Sequence, residues 1–254
     1  MSLLLSLLFL QGELFADGGS IEFDAENSIV RVKFDSSNYE NYKVQVSKGS
    51  TKYNYNLYDG DEVFPLQMGS GSYTVKLYER VSGNKYRSIN SKTNYLKLEE
   101  NKVFLQSVQN INWSDKSKAI SLAKELGLEK ATTKEQFQSI YDEIVKSIVY
   151  DYQKASSVST RYLPTIDSVY VEKKGICYDY SALMASMLRS LKIPTKMIHG
   201  YSVNTGEVYH AWNEVLLNGK WVVVDTTIDA QLFRMGNSYE GEKSTGDYKA
   251  EKEF

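Results

Sequence analysis

Cys177 is the only cysteine in this chain of 254 residues. It follows Gly175-Ile176 and opens a strongly apolar segment. A helix N-terminus presents unpaired N–H groups and partial positive charge, which stabilise a thiolate or the oxyanion of a reacting carbonyl. If a helix begins here, the position predicts a nucleophile. The competing interpretation is a small hydrophobic side chain packed beneath the helix, a common place for a free cysteine.

The helix behind Cys177 is indicated by apolar residues that recur every three or four positions. It ends before Pro194, because proline disfavours helix at the residue that precedes it. The apolar stripe consists of Tyr180, Met184, Met187, Leu188 and Leu191. Ala182, Leu183 and Ala185 widen this stripe, which predicts a helix buried on most sides.

A hairpin turn at Asn218-Gly219 places His210 and Asp225 on one face of a predicted β-ribbon. A two-residue turn pairs residues whose numbers sum to 437, so Trp212 lies opposite Asp225 and His210 is its diagonal neighbour. A carboxylate on one ring nitrogen orients an imidazole, while the other nitrogen can face a thiol. A turn of three residues would break this pairing.

Two rivals exist for these roles. His199 lies in the predicted strand 196–201, where local geometry places no acidic residue beside it, and we interpret it as structural or as lining a cleft. Asp229 is the rival acid, but it lies beyond the end of the strand that follows the hairpin. We therefore expect His210 and Asp225 to be the pair that serves Cys177.

Residues 20–106 carry apolar side chains at alternate positions, the period of half-buried strands. Val30 and Val32 alternate with charged residues, and turn signals such as Lys48-Gly49-Ser50 separate the segments. The pattern predicts an antiparallel, immunoglobulin-like β-sandwich over residues 17–108, although a small barrel would show the same spacing. This half contains no histidine or cysteine, and we predict no catalytic cluster in it.

From about residue 114 the apolar period changes to 3.6, which predicts helices. Thr132 and Glu135 fit a capping box at the start of one of them. Its buried stripe is Phe137, Ile140, Tyr141, Ile144, Val145 and Ile148. The change of period near 107–114 marks the boundary of a second domain over residues 109–254. Its polar tail, from about residue 236, is predicted to be loosely held.

The charge balance is close to neutral, with 30 Lys and Arg against 32 Asp and Glu. A nucleic-acid-binding protein would need a basic excess or stripe, so we expect no nucleic-acid partner. Residues 1–10 form an apolar run that suits a secretory signal peptide ending at Ala16, although a basic n-region is missing. The run is too short to span a bilayer, which needs about 20 residues. We expect a signal peptide at 1–16, with an ordinary buried segment as the alternative, and no transmembrane segment in the mature chain.

Three blocks of the sequence resemble the transglutaminase-like superfamily, in the branch found in secreted bacterial proteins. They are GICYDYSALMASMLRSLKIPTKMIHGY, HAWNEVLLNGKWVVVD and DTTID. With the Val149-Tyr-Asp-Tyr152 block, the similarity covers residues 148–230. It implies a papain-like core in which a central helix packs on an antiparallel sheet, and hence an α+β protein that is secreted or held at the surface of a bacterium.

The same resemblance implies a triad of Cys177 as nucleophile, His210 as general base and acid, and Asp225 as the residue that orients the histidine. Two positions depart from the family pattern. Lys192 replaces the usual glycine before Ile-Pro, and Tyr178 follows the cysteine where relatives often carry a small or acidic residue. The second departure is expected to reshape the cleft.

Further contacts to substrate or oxyanion are assigned to aromatic residues, each of which has packing as its alternative role. These candidates are Tyr150, Tyr162, Tyr170, Tyr178 and Trp212. No calcium-binding loop is recognisable, and we expect no metal and no cofactor.

We predict a transglutaminase-like cysteine acyltransferase that acts through a thioester on a carboxamide or peptide bond. The expected partner is a protein or peptide, for example of the cell surface or cell wall. One alternative is a cysteine peptidase or amidase that acts on protein or cell-wall peptide. The other is a binding or adhesion module that keeps the fold without the chemistry.

Overall fold

The computed structural model describes residues 19–128, 130, 132–206 and 208–254. The predicted signal peptide at 1–16 lies outside these residues. Within them, the first part of the chain forms seven strands: β1 (Ser20–Asp24), β2 (Ile29–Lys33), β3 (Tyr42–Lys48), β4 (Thr51–Asn56), β5 (Asp61–Pro65), β6 (Gly71–Ser82) and β7 (Lys85–Leu96).

These strands form two antiparallel sheets, with orders β1-β2-β5 and β4-β3-β6-β7. Alternate side chains of both sheets, such as Val30 and Val75, are buried in one common core. Constant-type immunoglobulin domains place four strands in the first sheet and three in the second. Here the sheet that contains β1 has three strands, because β4 pairs with β3 in the other sheet. The immunoglobulin-like assignment therefore stays a prediction.

The second part of the chain is a helical layer against a four-stranded antiparallel sheet of order β12-β11-β10-β13. The elements are α1 (Lys118–Leu128), α2 (Thr133–Ser147), β8 (Val149–Tyr150), α3 (Tyr152–Ser157), α4 (Ile166–Glu172), β9 (Lys174–Gly175), α5 (Cys177–Ser190), β10 (Thr195–Ser202), β11 (His210–Leu217), β12 (Lys220–Val224), α6 (Thr226–Arg234) and β13 (Tyr248–Glu253). Helix α5 packs on β10 and β11. This combination of helices with antiparallel sheets confirms the predicted α+β class at that level of detail.

Helix α2 begins with the predicted capping box. The backbone N–H of Glu135 donates to Thr132 Oγ1 at 3.2 Å, and Thr132 N–H donates to Glu135 Oε2 at 2.9 Å. The predicted apolar stripe faces the core that α2 shares with α1, α5 and α6. Local sequence signals are therefore sufficient to position this helix.

The prediction of a loosely held tail is wrong. Residues 248–253 form β13, which pairs with β10 from Ser202↔Tyr248 to Ile198↔Glu253. The backbone N–H of Lys243 also donates to Val223 O at 2.9 Å. The tail is polar because it forms an edge strand whose side chains are mostly exposed, and composition alone does not separate such a strand from a disordered segment.

The end of the tail lies at the junction between the two parts of the chain. Phe254 is buried, with its ring centroid 5.8 Å from that of Tyr53 and 6.2 Å from that of Tyr55 in the first part. The side chain of Gln67 donates to the carbonyl of Glu253 at 3.1 Å. The β-sheets of the first part thus contact the second part, which contains Cys177, directly.

Arg189, near the end of α5, is buried completely at this junction. Its guanidinium donates to the carbonyl oxygens of Thr195 at 2.9 Å, Gln106 at 2.7 Å and Phe254 at 2.9 Å. Burial lowers the pKa of Arg189 to about 9. One side chain therefore joins helix α5, the linker between the two parts and the C-terminal strand.

Replacing Arg189 with methionine is expected to destabilise the protein by about 3 kcal/mol, because it leaves buried carbonyl oxygens without their donor. Urea unfolding at neutral pH measures the change. The control is Lys116→Met, an exposed residue in which the same charge is removed without a buried partner. A loss for Arg189→Met no larger than that of the control would contradict the structural role assigned to the guanidinium.

Candidate active site

Cys177 is the first residue of α5 and its side chain is partly exposed. The backbone before it is tightly packed: a Cβ at Gly175 would lie 2.6 Å from Cβ of Asp179, so only glycine fits without a shift. The carboxylate of Asp179 turns back and accepts a hydrogen bond from Ile176 N–H at 2.8 Å. The first turn of this helix leaves N–H groups without intrahelical partners, and that of Cys177 is one of them.

The hairpin that brings His210 towards Asp225 has the register expected from its turn. Leu217 pairs with Lys220, and the pairing continues to Asn213↔Val224. Both turn residues have positive φ, 51° at Asn218 and 76° at Gly219, as the mirror-image turns of tight hairpins require. Strand β12 ends at Val224, so Asp225 follows it immediately and begins the next helix.

His210 and Asp225 are buried and directly hydrogen-bonded, with His210 Nε2 2.7 Å from Asp225 Oδ2. The other carboxylate oxygen caps α6 by accepting from Ile228 N–H at 3.1 Å. The hydroxyl of Tyr248 donates to Oδ2 at 3.0 Å. These three contacts restrain the carboxylate in one orientation, and the carboxylate in turn orients the imidazole.

The electrostatic surroundings of His210 favour its charged form. Burial lowers the pKa of His210, but hydrogen bonds to Asp225 and Cys177, together with their negative charges, outweigh burial and raise this pKa to about 10. Because Nε2 is bonded to Asp225, Nδ1 is the nitrogen left for the thiol. The arrangement can hold a thiolate against an imidazolium.

Aromatic rings pack behind this pair. Trp212 is 1% exposed, and its ring centroid lies 6.2 Å from that of His210 with the planes nearly parallel. The ring of Tyr248 lies 5.0 Å from that of Trp212. Gly200 on β10 allows this packing, because a Cβ there would lie 2.9 Å from the Trp212 ring and 2.1 Å from Lys249 O. Trp212 is thus placed behind the histidine, where it supports the ring.

The remaining aromatic candidates lie in different surroundings. Tyr150 is partly buried and pairs with Gly175, two residues before Cys177. Burial, followed by the charge of Cys177, raises the pKa of Tyr150 to about 12. Tyr178 accepts from Asn110 Nδ2 at 2.7 Å and faces the β-sheets of the first part. Tyr170 lies under the ammonium of Lys173, 4.1 Å from its ring centroid. Tyr150 is therefore brought to the site, whereas the recorded contacts of Tyr178 and Tyr170 lie elsewhere.

The rival residues are engaged away from the pair. His199 is surrounded by aromatic rings, with Tyr178 at 4.9 Å and Phe254 at 5.1 Å between centroids, and burial lowers its pKa to about 4. Asp229 accepts from Tyr141 at 2.7 Å and pairs with Lys243 at 2.5 Å. Neither His199 nor Asp229 is hydrogen-bonded to Cys177 or His210.

Tyr248 is the site residue that the sequence did not indicate. It lies 23 positions after Asp225, in a tail whose composition resembles a disordered segment. The alternation of residues in Tyr248–Glu253 is the signal that could have identified a strand. Nothing local to that strand indicates that it pairs with β10 and brings the tyrosine to the aspartate.

The described part of the chain shows neither a metal-binding cluster nor a membrane-spanning helix. It contains no group of three or more His, Cys, Asp or Glu side chains placed to hold a metal ion. It also contains no helix with the length and apolarity needed to cross a membrane.

Comparisons with known proteins identify the second part of the chain. Residues 120–226 match the model of the transglutaminase-like superfamily. Kyphoscoliosis peptidase of Homo sapiens is 30% identical over 121 residues, and the match covers 44% of this chain and 18% of that protein. The protein of the same name from Mus musculus is 29% identical over 121 residues, and the match covers the same fractions of both chains. The chain thus matches less than a fifth of the length of these curated relatives.

Among solved structures, the periplasmic domain of TgpA from Pseudomonas aeruginosa is 14% identical, with a TM-score of 0.42 and coverage of 84% of this chain and 91% of that domain. The assignment does not depend on this weak structural likeness, since the family model matches the segment that carries Cys177 and His210 and ends one residue after Asp225. Residues 120–226 therefore form a transglutaminase-like domain.

Proposed function

We propose that the chain is a cysteine acyltransferase in which Cys177, His210 and Asp225 act as a catalytic triad. The observation that supports this most directly is one buried imidazole that is hydrogen-bonded to Asp225 at 2.7 Å and whose pKa is raised by Asp225 and by the neighbouring Cys177. A nucleophile, a proton carrier and an orienting acid in that order are the arrangement required for covalent acyl transfer.

In the first step the thiolate of Cys177 attacks the carbonyl carbon of a carboxamide. The C–N bond then breaks as the leaving nitrogen takes a proton from His210, and the acyl group remains on sulfur as a thioester. An amine or water attacks the thioester, gives its proton to His210 and releases the thiolate. Protons and electron pairs balance over the cycle, so no further reactant is needed.

The raised pKa of His210 suits the role of proton donor in this cycle. With a pKa of about 10, the imidazole holds its proton at neutral pH when the thiol has lost one. The proton is then available to an amide nitrogen, which is a poor leaving group until it is protonated. Asp225 supports this state by accepting the hydrogen bond from Nε2.

The oxyanion formed in each step needs hydrogen-bond donors near the sulfur. The N–H groups in the first turn of α5 supply one source, because they point out of the helix N-terminus where Cys177 lies. The hydroxyl of Tyr150 is the second candidate, because Tyr150 pairs with Gly175, two residues before the cysteine. Trp212 has a supporting role in this proposal rather than contact with substrate.

A cysteine peptidase or amidase is the second candidate, and it is favoured by the similarity to kyphoscoliosis peptidase. The chemistry up to the thioester is the same, and water replaces the amine in the second step. A binding or adhesion module is disfavoured, because such a module has no use for a buried histidine paired with both an aspartate and a cysteine.

The proposed substrate is a protein or peptide, and the proposed location is outside the cytoplasm. The choice of a protein or peptide as substrate follows from the acyl chemistry of the superfamily. The proposed location is supported by the apolar N-terminal run that precedes Asp17. Within this proposal the β-sheets of the first part hold the second part in place.

Mass spectrometry of a glutamine-containing peptide incubated with the protein and a primary amine separates the candidates. Transfer is expected to replace the carboxamide nitrogen by the amine, whereas an amidase converts the glutamine to glutamate and a peptidase shortens the peptide. The absence of all three products over a panel of peptides, together with Cys177 alkylation at the rate of free cysteine, would overturn the enzymatic proposal.

A further inference from the structure

A buried polar cluster lies at the first turn of α5, the helix that begins at Cys177, and has no role in the steps above. Its centre is Asp179, two residues after Cys177 and 0% exposed. Lys154 Nζ lies 2.7 Å from Asp179 Oδ2, and the hydroxyl of Tyr162 donates to Oδ1 at 2.5 Å. The same Oδ2 accepts from the N–H of Ile176, which joins the cluster to the backbone next to the sulfur.

This carboxylate creates an electrostatic problem for a thiolate. A like charge within a few ångströms disfavours the ionised form of a thiol, and a buried carboxylate without a partner is costly in itself. Asp179 caps α5 and so stabilises the helix that carries Cys177. The same residue would therefore oppose formation of the nucleophile unless its charge were cancelled.

Among the described residues, Lys154 is the cation that contacts Asp179. Its side chain is only 28% exposed, and its ammonium also bonds to the hydroxyl of Tyr162 at 2.5 Å. The ammonium lies 4.2 Å from the centroid of the tyrosine ring. Two partners hold the charge in place, which distinguishes it from a mobile surface lysine.

We propose that Lys154 is a positioning residue for the nucleophile: its ammonium cancels the charge of Asp179, so that Asp179 can cap the helix without destabilising the Cys177 thiolate. The inference rests on the proposed function only in requiring Cys177 to act as a thiolate. Tyr162 shares the role, because it holds both the ammonium and the carboxylate.

The β-sheets of the first part help to fix this cluster. Arg161, next to Tyr162, donates from Nη2 to the carbonyl of Leu57 at 2.9 Å. The hydroxyl of Tyr58 donates to Arg161 O at 2.6 Å, and the guanidinium lies 4.8 Å from the centroid of the same ring. The backbone and the side chain of Arg161 thus both bind the first part of the chain and hold the loop that carries Tyr162.

The charged and titratable groups around Cys177 come from several elements. They are Asp179 on α5, His210 on β11, Lys154 on α3, Tyr162 on the loop after α3 and Tyr150 on β8. His210 is hydrogen-bonded to Asp225, which adds a further carboxylate on the far side of the imidazole. Lys154 can be removed without touching the imidazole or its acid, so its contribution is separable by experiment.

The test measures the rate of Cys177 alkylation by iodoacetamide against pH in the full chain. Lys154→Met is expected to raise the midpoint of the alkylation profile by about one pH unit, and to lower the rate about tenfold below the midpoint, because the uncompensated carboxylate disfavours the thiolate. Lys154→Arg keeps the charge and is expected to restore most of the rate.

Lys174→Met is the matched control. Lys174 lies three residues before Cys177, but its partner is Asp151, with Nζ 3.1 Å from Oδ1. This variant removes the same charge from the same neighbourhood and is expected to leave the alkylation profile unchanged. An equal shift in both lysine variants would show a general field effect and overturn the specific role of Lys154.

The double variant Lys154→Met/Asp179→Asn separates charge from structure. Removing both charges is expected to return the midpoint towards that of the unaltered protein, whereas a purely structural role predicts that the two losses accumulate. An unshifted profile in Lys154→Met, or a double variant no better than the single one, contradicts the proposal. A shifted profile in a protein without acyl transfer would refute the proposed activity and leave this inference standing.

Discussion

Cys177→Ala is expected to reduce turnover of any acyl substrate to background, a loss on the order of 10⁶-fold by comparison with other triads that lack the nucleophile. The variant keeps the helix start, because Asp179 and the backbone N–H groups remain. It cannot form the thioester, so the reaction loses its covalent route. Since Cys177 is partly exposed, the change should leave little cavity and have little effect on stability.

The measurement is product formation by mass spectrometry with a substrate found for the unaltered chain. Ser190→Ala, at the opposite end of the same helix, serves as the control and is expected to retain activity. Turnover by Cys177→Ala above a few per cent of that of the control would show that the sulfur is not the nucleophile. An unfolded variant is recognised by its far-ultraviolet circular dichroism.

Asp225→Asn should lower kcat by about 10⁴-fold, the size found for the corresponding change in a serine-protease triad. An amide at this position can no longer accept from an imidazolium as a carboxylate does, and it favours the wrong tautomer of His210. The pKa of His210 should fall from about 10 towards its ordinary value of 6.5, because the hydrogen bond and charge of Asp225 are major causes of the rise.

The same substitution changes the dependence of stability on pH. A histidine whose pKa is 6.5 in the unfolded chain and about 10 in the folded one adds stability that is complete below pH 6.5. That stability is lost as pH rises from 6.5 through 10. Urea unfolding at several pH values should show this decline in the unaltered protein and a flatter profile in Asp225→Asn.

Asp229→Asn is the control for both measurements. Asp229 lies on α6, four residues from Asp225, and is also buried, but its partners are Tyr141 and Lys243. The Asp229→Asn variant is expected to have a lower free energy of unfolding without a comparable loss of kcat. If the two asparagine variants lose activity equally, the orienting role of Asp225 is wrong, and both residues matter only for the fold.

Local sequence is sufficient to specify the parts of the site that depend on backbone geometry. The Asn218-Gly219 turn selects positive φ at both residues, and this turn specifies a register that puts His210 beside Asp225. A capping carboxylate and a tight glycine place Cys177 at the first residue of its helix. Such features follow from backbone sterics and hydrogen bonds within a few residues, so they can be read from a short stretch of chain.

Which distant side chains converge on this local structure depends on tertiary packing. Tyr248 reaches Asp225 because β13 pairs with β10. Lys154 reaches Asp179 because β8 pairs with β9, which brings the starts of α3 and α5 together. Arg189 connects three separate segments through their carbonyl groups. These contacts depend on the packing of whole elements against one another, and neither the spacing nor the composition of a single segment contains that information.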